Sequence, residues 1–321
     1  MRYYSITLPG LNITSYVNGQ TDPGALNIEM DVQVGPAHTV VGSSWMRIWN
    51  PGLQLISQSK DFNPSSTSAA NLQSVSVTGG MQHGLPLANP SQIGLLFSGG
   101  ITQAFGNWQG TDQSLEFRLI GSGFSATAPG PFFFNWKKGT HLSVAVQNVL
   151  QQAFPAYTAP SINISSSLVF TEDQTFYYET LTQFSKWVNA VSKIIVTTPN
   201  YPGVSIGLKP NQVVVFDGSQ QTTARQIAFN DLIGQMTWIG PQSLNMKTVM
   251  RGDIGIGDYV KLPPGQIATT AASLSSYRQG SVFQGVFQVT EVRHVGNYRD
   301  PSADSWCSVY TLVGPQAAGT T

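Results

Sequence analysis

Hydrophobic and polar residues alternate early in this chain. After an Asp22-Pro23-Gly24 turn, Leu26, Ile28, Met30, Val32 and Val34 alternate with Asn27, Glu29, Asp31 and Gln33. A period of two over nine residues predicts a strand with one buried face. Similar short stretches follow at 45–49, 72–77, 95–102 and 115–119, the last placing Leu115, Phe117 and Leu119 on one face. Turn clusters, among them Gly79-Gly80 and Gly99-Gly100, punctuate the run. Regularly spaced strands with no helix between them predict an all-β sandwich or barrel over residues 1–128.

The period then changes. Residues 121–131, GSGFSATAPGP, read as a linker. Beyond it, Thr140 is placed to cap a helix carrying Leu142, Val146, Val149 and Ala153, ending before Pro155. Thr175 precedes Tyr177, Leu181, Phe184, Val188, Val191 and Ile195, whose spacings of 4, 3, 4, 3 and 4 lay one apolar stripe along a second helix. Pro199 and the Asn200-Tyr201-Pro202-Gly203 turn stop it, and 204–206 with 213–216 read as a hairpin around Lys209-Pro210-Asn211. Residues 129–226 therefore predict a two-helix α+β part. Strands return over 227–321, at 236–239, 244–250, 258–262, 282–295 and 306–313. The Pro-, Ala- and Ser-rich stretch 263–279 predicts an exposed loop, and the tail after Pro315 predicts disorder. The fold class is thus mainly β with an α+β part. No repeat of fixed period is visible, which excludes solenoids and propellers.

Charge changes the picture more than hydrophobicity does. Of 321 residues, 41 % are hydrophobic but only 10 % are charged, where about 25 % is usual. The 16 basic and 16 acidic side chains cancel. Sparse, balanced charge suits a surface largely covered by other subunits, because interface cores are depleted of Asp, Glu and Lys. A β-rich surface built from Ser, Thr, Gln and Asn reads the same way. The 7 Trp, 11 Tyr and 16 Phe exclude a disordered chain. Without a basic excess there is no footprint for sequence-reading nucleic-acid binding. No run of eighteen apolar residues occurs, and the first residues turn polar before an apolar signal region forms. With one cysteine, Cys307, and so no intramolecular disulfide, the sequence predicts a soluble protein made in a cytoplasm.

The search for chemistry is mostly negative. His38, His83, His141 and His294 stand far apart, in no zinc-binding or H-E-x-x-H spacing. Cys307, with only His294 near it in sequence, reads as a small buried hydrophobe. There is no G-x-S-x-G elbow. Gly139-Thr140 after Lys137-Lys138 lacks the earlier glycine of a phosphate loop, and Gly255-Ile256-Gly257 reads as a turn. Glu172-Asp173 read as first-turn charges favouring the dipole of the second helix. A pair of hydrolytic carboxylates formed only on folding would escape such a search. The seven tryptophans read as core or interface anchors. The sequence thus predicts no catalytic residue, no cofactor and no metal.

Several runs carry a resemblance. They are NDLIGQMTW (230–238, with Asp231 and Trp238), VMRGDI (249–254, with Asp253), GDYVKLP (257–263, with Asp258), and FQVTEVRHVG (287–296, with His294) before SWCS (305–308, with Trp306). LFSGGI (96–101) and TDQSL (111–115) add a weaker match. Together they resemble baseplate hub proteins of contractile-tailed bacteriophages, over most of the chain and most sharply in its last third. The resemblance implies two tail-tube-like antiparallel β-barrels with a smaller α+β domain. It implies three copies in a ring, joining a central spike to a hexameric tail tube and enclosing a channel for the genome. The implied partners are the chain itself, the spike, tail tube proteins, neighbouring baseplate proteins and DNA in transit, in a virion assembled in the host cytoplasm. His294 and Trp306 are then expected on adjacent strands of the second barrel, with Trp306 in its wall and His294 a hydrogen-bonded structural residue. Asp253 and Asp258 are expected to hold the Gly-Ile-Gly turn through side-chain-to-backbone bonds. The chain departs from the pattern at Met236 and in its 263–279 loop. A hexameric tube or tube-initiator subunit, a hub carrying a cell-wall hydrolase, and a spike-like secretion protein are the other readings.

Overall fold

The structure, a computed structural model, describes residues 1–39, 43–64, 72–82, 89–121, 131–155, 157–197, 201–209, 212–220, 223–240, 243–263 and 285–314. The core of the expected linker, nearly all of the 263–279 loop and the tail lie outside the described residues.

The first third holds β1 (Arg2–Leu8), β2 (Leu11–Thr14), β3 (Tyr16–Val17), β4 (Gln20–Thr21), β5 (Asn27–Val34), β6 (Ser44–Trp49), α1 (Leu53–Ser57), β7 (Gln73–Met81), β8 (Gly94–Gln109) and β9 (Asp112–Gly121). The middle holds β10 (Phe132–Trp136), α2 (Leu142–Ala153), β11 (Thr158–Asn163), β12 (Gln174–Tyr178), α3 (Leu181–Ile195), β13 (Ser205–Lys209) and β14 (Gln212–Phe216). The last third holds β15 (Arg225–Gln226), β16 (Thr237–Trp238), β17 (Ser243–Val249), β18 (Tyr259–Lys261), β19 (Val286–Asn297) and β20 (Trp306–Val313).

The first and last thirds share one sheet of thirteen strands, in the order β16-β17-β20-β19-β5-β6-β9-β8-β7-β1-β2, with β18 on β19 and β15 on β18. The join is the antiparallel pair β5–β19, where Val32 lies opposite His294 and Met30 opposite Gly296. The alternation read in β5 is realised there: Ile28, Met30 and Val32 are buried and the polar residues between them face outward. The sheet curls, so that β1 comes back over the β19–β20 connection. Arg2 donates to the carbonyls of Asn297 (2.7 Å) and Ser302 (2.7 Å), and also to that of Asp300. Trp306 Nε1 donates to Gly80 O at 3.0 Å.

Two cores sit on the inner face. The first gathers Tyr4, Ile6, Ile28, Met46, Phe97 and Phe117, and takes Met250 and Trp306 from the last third. Trp306 therefore packs into the first core rather than the second, because the first residue of β20 faces inward under the curled β7 edge. The second core is Leu244, Met246, Val260, Val289, Tyr310 and Leu312 with their neighbours. A third core, aromatic-rich, belongs to the middle body: Phe132, Phe134 and Trp136 of β10 pack with Phe184 of α3 and Val146 of α2. There β10 pairs with β12, and β11 lies parallel to β14 beside the β13–β14 hairpin. Ala37 N donates to Ile206 O (2.8 Å), tying this body to the end of β5.

The second helix starts later than its apolar spacing predicts. Residues 174–178 form β12 instead, and Tyr177, expected on the buried stripe, is 60 % exposed. The aromatic run TFYY favours a pleated surface and finds a partner in the FFF of β10. Thr180 then caps α3, its Oγ1 accepting from Gln183 N at 3.2 Å. Glu172-Asp173 consequently lie before a strand and not in the first turn of a helix, and Asp173 Oδ1 accepts from Lys138 N at 2.7 Å. At α2 the cap position is His141, without a side-chain cap bond, and Thr140 contributes its carbonyl to Trp136 Nε1 at 2.6 Å.

Candidate functional site: a polar junction and an ion-paired sheet face

Arg251 lies two residues past the end of β17 and points into the protein, its side chain 3 % exposed. It donates through Nη1 to Asp231 Oδ2 (2.9 Å) and through Nε and Nη2 to both oxygens of Asp253 (2.7 and 2.8 Å). Asp231 also accepts from Gln92 Nε2 (3.1 Å), and Asp253 from Arg225 Nη1 (2.6 Å). Burial alone would lower the Arg251 pKa; the hydrogen bonds and charge of Asp253, with Tyr310 and Asp231, outweigh it and raise it above the ordinary arginine value. The backbone of Arg251 continues the network: its N–H donates to Ser308 Oγ (3.0 Å), and Ser308 shares a 2.8 Å hydrogen bond with His294 Nδ1. His294 is fully enclosed, and desolvation pushes its pKa down to about 3, so its imidazole is neutral at ordinary pH.

Three of the six motif residues thus meet in one network, with Asp231 and Asp253 sharing Arg251 and His294 joined through Ser308. Asp258 stands one turn away, accepting from Gly255 N (2.8 Å) and pairing with Lys209 of the middle body. Asp253, expected to hold the same turn, turns to the two arginines instead, because a buried guanidinium offers a stronger partner than a backbone amide. Trp238 lies apart, on β16 at the sheet edge. Residue-by-residue reading passed over Arg251, Ser308 and Gln92. The available signal was a lone arginine in the apolar approach VMRGDI, next to the glycine that lets two backbones meet. A Cβ on Gly252 would fall 2.4 Å from Gly94 C, so the β7–β8 connection and residues 250–254 touch main chain to main chain.

Beside this junction a cavity of about 690 Å³ opens where all three parts of the chain meet. Val34, Leu95, Phe97, Leu181, Ile254 and Ile256 are among its lining residues. Among the described residues, no group of three or more His, Cys, Asp or Glu is placed to hold a metal ion, and no helix is long and apolar enough to cross a membrane.

The opposite face of the sheet is polar. Residues directly opposite one another across a ladder share a face. On that rule Lys247, Val309, Arg293, Gln33, Asp31, Trp45, Arg118 and Gln103 belong to one surface, seven strands wide from β17 to β8. At the usual strand spacing it measures about 29 Å across. Its charges are joined to one another. Glu116 accepts from Arg47 Nη2 and Arg118 Nη2 (both 2.7 Å), Arg47 reaches Glu29 (3.7 Å), and Arg293 Nε donates to Asp31 (2.7 Å). The Arg47 guanidinium lies 5.9 Å from the Trp45 ring centre and 5.2 Å from that of Trp49. Lys247 pairs with Asp304 (3.0 Å).

No family model matches the sequence, and no curated protein matches it. Solved structures do match along its whole length. It is similar to a tail protein from Neisseria meningitidis MC58, with a TM-score of 0.51 and 11 % identity over 98 % of this chain and 96 % of that one. It is also similar to the c3393 protein of E. coli, a component of the type VI secretion system that is structurally similar to the T4 bacteriophage tail proteins gp27 and gp5. There the TM-score is 0.51 and the identity 11 %, over 98 % of this chain and 77 % of that one. A 43 kDa tail protein of prophage MuSo2 from Shewanella oneidensis gives a TM-score of 0.50 at 8 % identity, over 98 % and 97 %. The chain has the fold of these tail proteins.

Proposed function

We propose that this chain is a structural baseplate hub of a contractile-tailed phage, with no turnover of its own. Three copies form a ring that joins a central spike to a hexameric tail tube and encloses the channel through which the genome leaves. The observation that carries this reading is the single curled sheet with two cores on its inner side and an unbroken, charge-compensated outer face. The two cores support a division into two tube-like barrels, 1–128 and 227–321, flanking an α+β domain at 129–226. Two barrels per chain in three copies would offer six to a sixfold tube, while three chains match a trimeric spike. Neighbouring baseplate proteins would cover further surface, in keeping with the low overall charge. The likeness in fold to tail proteins supports a place in the virion tail.

A hexameric tube or tube-initiator subunit is the competing structural reading, and one barrel would need only about half of this length. Static light scattering over a concentration series separates them. A species of about 104 kDa, three times 34.6 kDa, is expected. One of about 208 kDa, six times 34.6 kDa, would replace the hub by the tube subunit.

A further inference from the structure

We propose that the carboxylates of the outer sheet face are charge masks: Glu29, Asp31 and Glu116 occupy Arg47, Arg118 and Arg293 so that the face does not hold double-stranded DNA passing over it. The biological setting rests on the channel reading above, but the chemistry stands on the ion pairs alone. Nine of the chain's 32 charged side chains fall on this face across the seven strands from β17 to β8, and Lys261 of β18, opposite Val286, lies at its border. Four are basic (Arg47, Arg118, Arg293 and Lys247) and five acidic (Glu29, Asp31, Asp112, Glu116 and Glu291), leaving one negative charge in excess. Each of these four bases is paired.

Stability is a weak reason for that arrangement. The side chains of Arg293 and Asp31 are 51 % and 24 % exposed, and an ion pair of that exposure contributes about 0–1 kcal/mol. Arg47 has a separate use, since its guanidinium lies over the rings of the two tryptophans of β6. Left unpaired, three guanidiniums would offer strong, geometrically apt phosphate contacts, each releasing counterions and slowing a moving duplex. The acids remove that affinity while leaving the arginines in place.

The test uses the full-length chain, a fluorescent duplex of about 30 base pairs, and anisotropy at two salt concentrations. The variant Glu29→Gln/Asp31→Asn/Glu116→Gln keeps side-chain shape and moves the seven strands from one negative to two positive charges. It should bind the duplex at least about tenfold more tightly than wild type at low salt, and lose that gain as salt rises about fourfold. A control with the same charge change off the face, Asp61→Asn/Glu172→Gln/Glu179→Gln, should bind like wild type. Wild type binding as tightly as the triple variant, or a control gaining as much, would overturn the proposal. If circular dichroism shows the triple variant unfolded, Gln103→Lys/Asn107→Lys adds charge to exposed positions on the same face without touching an ion pair, and must bind for the proposal to survive. A trimer whose face variants gain no binding sinks the mask alone. Variants that gain binding in a chain that assembles as a hexamer of about 208 kDa sink the hub reading and leave the mask.

Discussion

Arg251 holds a full positive charge beneath the sheet, and two aspartates answer it. Arg251→Ala would leave the buried Asp231 without its cation and Asp253 with Arg225 alone, so a loss of about 3 kcal/mol is expected in urea unfolding. Arg251→Lys keeps the charge but not the fork that grips both oxygens of Asp253, and should recover only part. His294 gives a pH signature. Its native pKa lies far below that of an exposed imidazole, so the unfolded chain takes up a proton that the folded chain refuses. Its contribution is intact above about pH 6.5 and declines as pH falls toward 3, by at most about 1.4 kcal/mol per pH unit. His294→Gln should flatten urea midpoints across that window, and an unchanged slope would place the proton uptake elsewhere. At this scale the sequence was half legible. Asp231, Asp253 and His294 stood out in their runs, yet nothing in those runs says that Asp231 and Asp253 share one cation. The face pairs were less legible still: Arg47 and Glu116 are 69 residues apart, Arg293 and Asp31 262. Such partners are set by strand order, which local periodicity does not contain.

At the scale of elements, period two was reliable wherever one face was wet and the other dry, as in β5 and β6. The first turn of α3 was misread because Tyr177 happens to continue the helical spacing while its own neighbours favour a strand. Thr180, three residues on, is the residue that starts the helix; Thr180→Ala should cost about 1 kcal/mol of stability, measured by thermal melting. The main-chain contact between Gly94 and Gly252 makes a sharper forecast. Gly252→Ala puts a methyl where the Gly94 carbonyl already sits, so the β7–β8 connection must part from residues 250–254. Faster amide exchange at Gly252, whose N–H donates to Gln92 O, is the expected readout, and unchanged protection would argue against a tight crossing.

For the whole molecule, the fold class could be read from the sequence, and the merger of its two ends into one sheet could not. That merger is made by β5 and β19, and it bears on how the protein is born. β5 is synthesised long before its partner, Asp31 preceding Arg293 by 262 residues. Until β19 is made, one side of β5 offers bare N–H and C=O groups, an edge that invites any passing strand. A chain truncated after residue 263, which keeps β5 and lacks β19, should therefore aggregate during expression. Completion of the sheet works as a clock: the joined face of β5 and β19 exists only once the chain has been made through Asn297, and until then the open edge is the hazard.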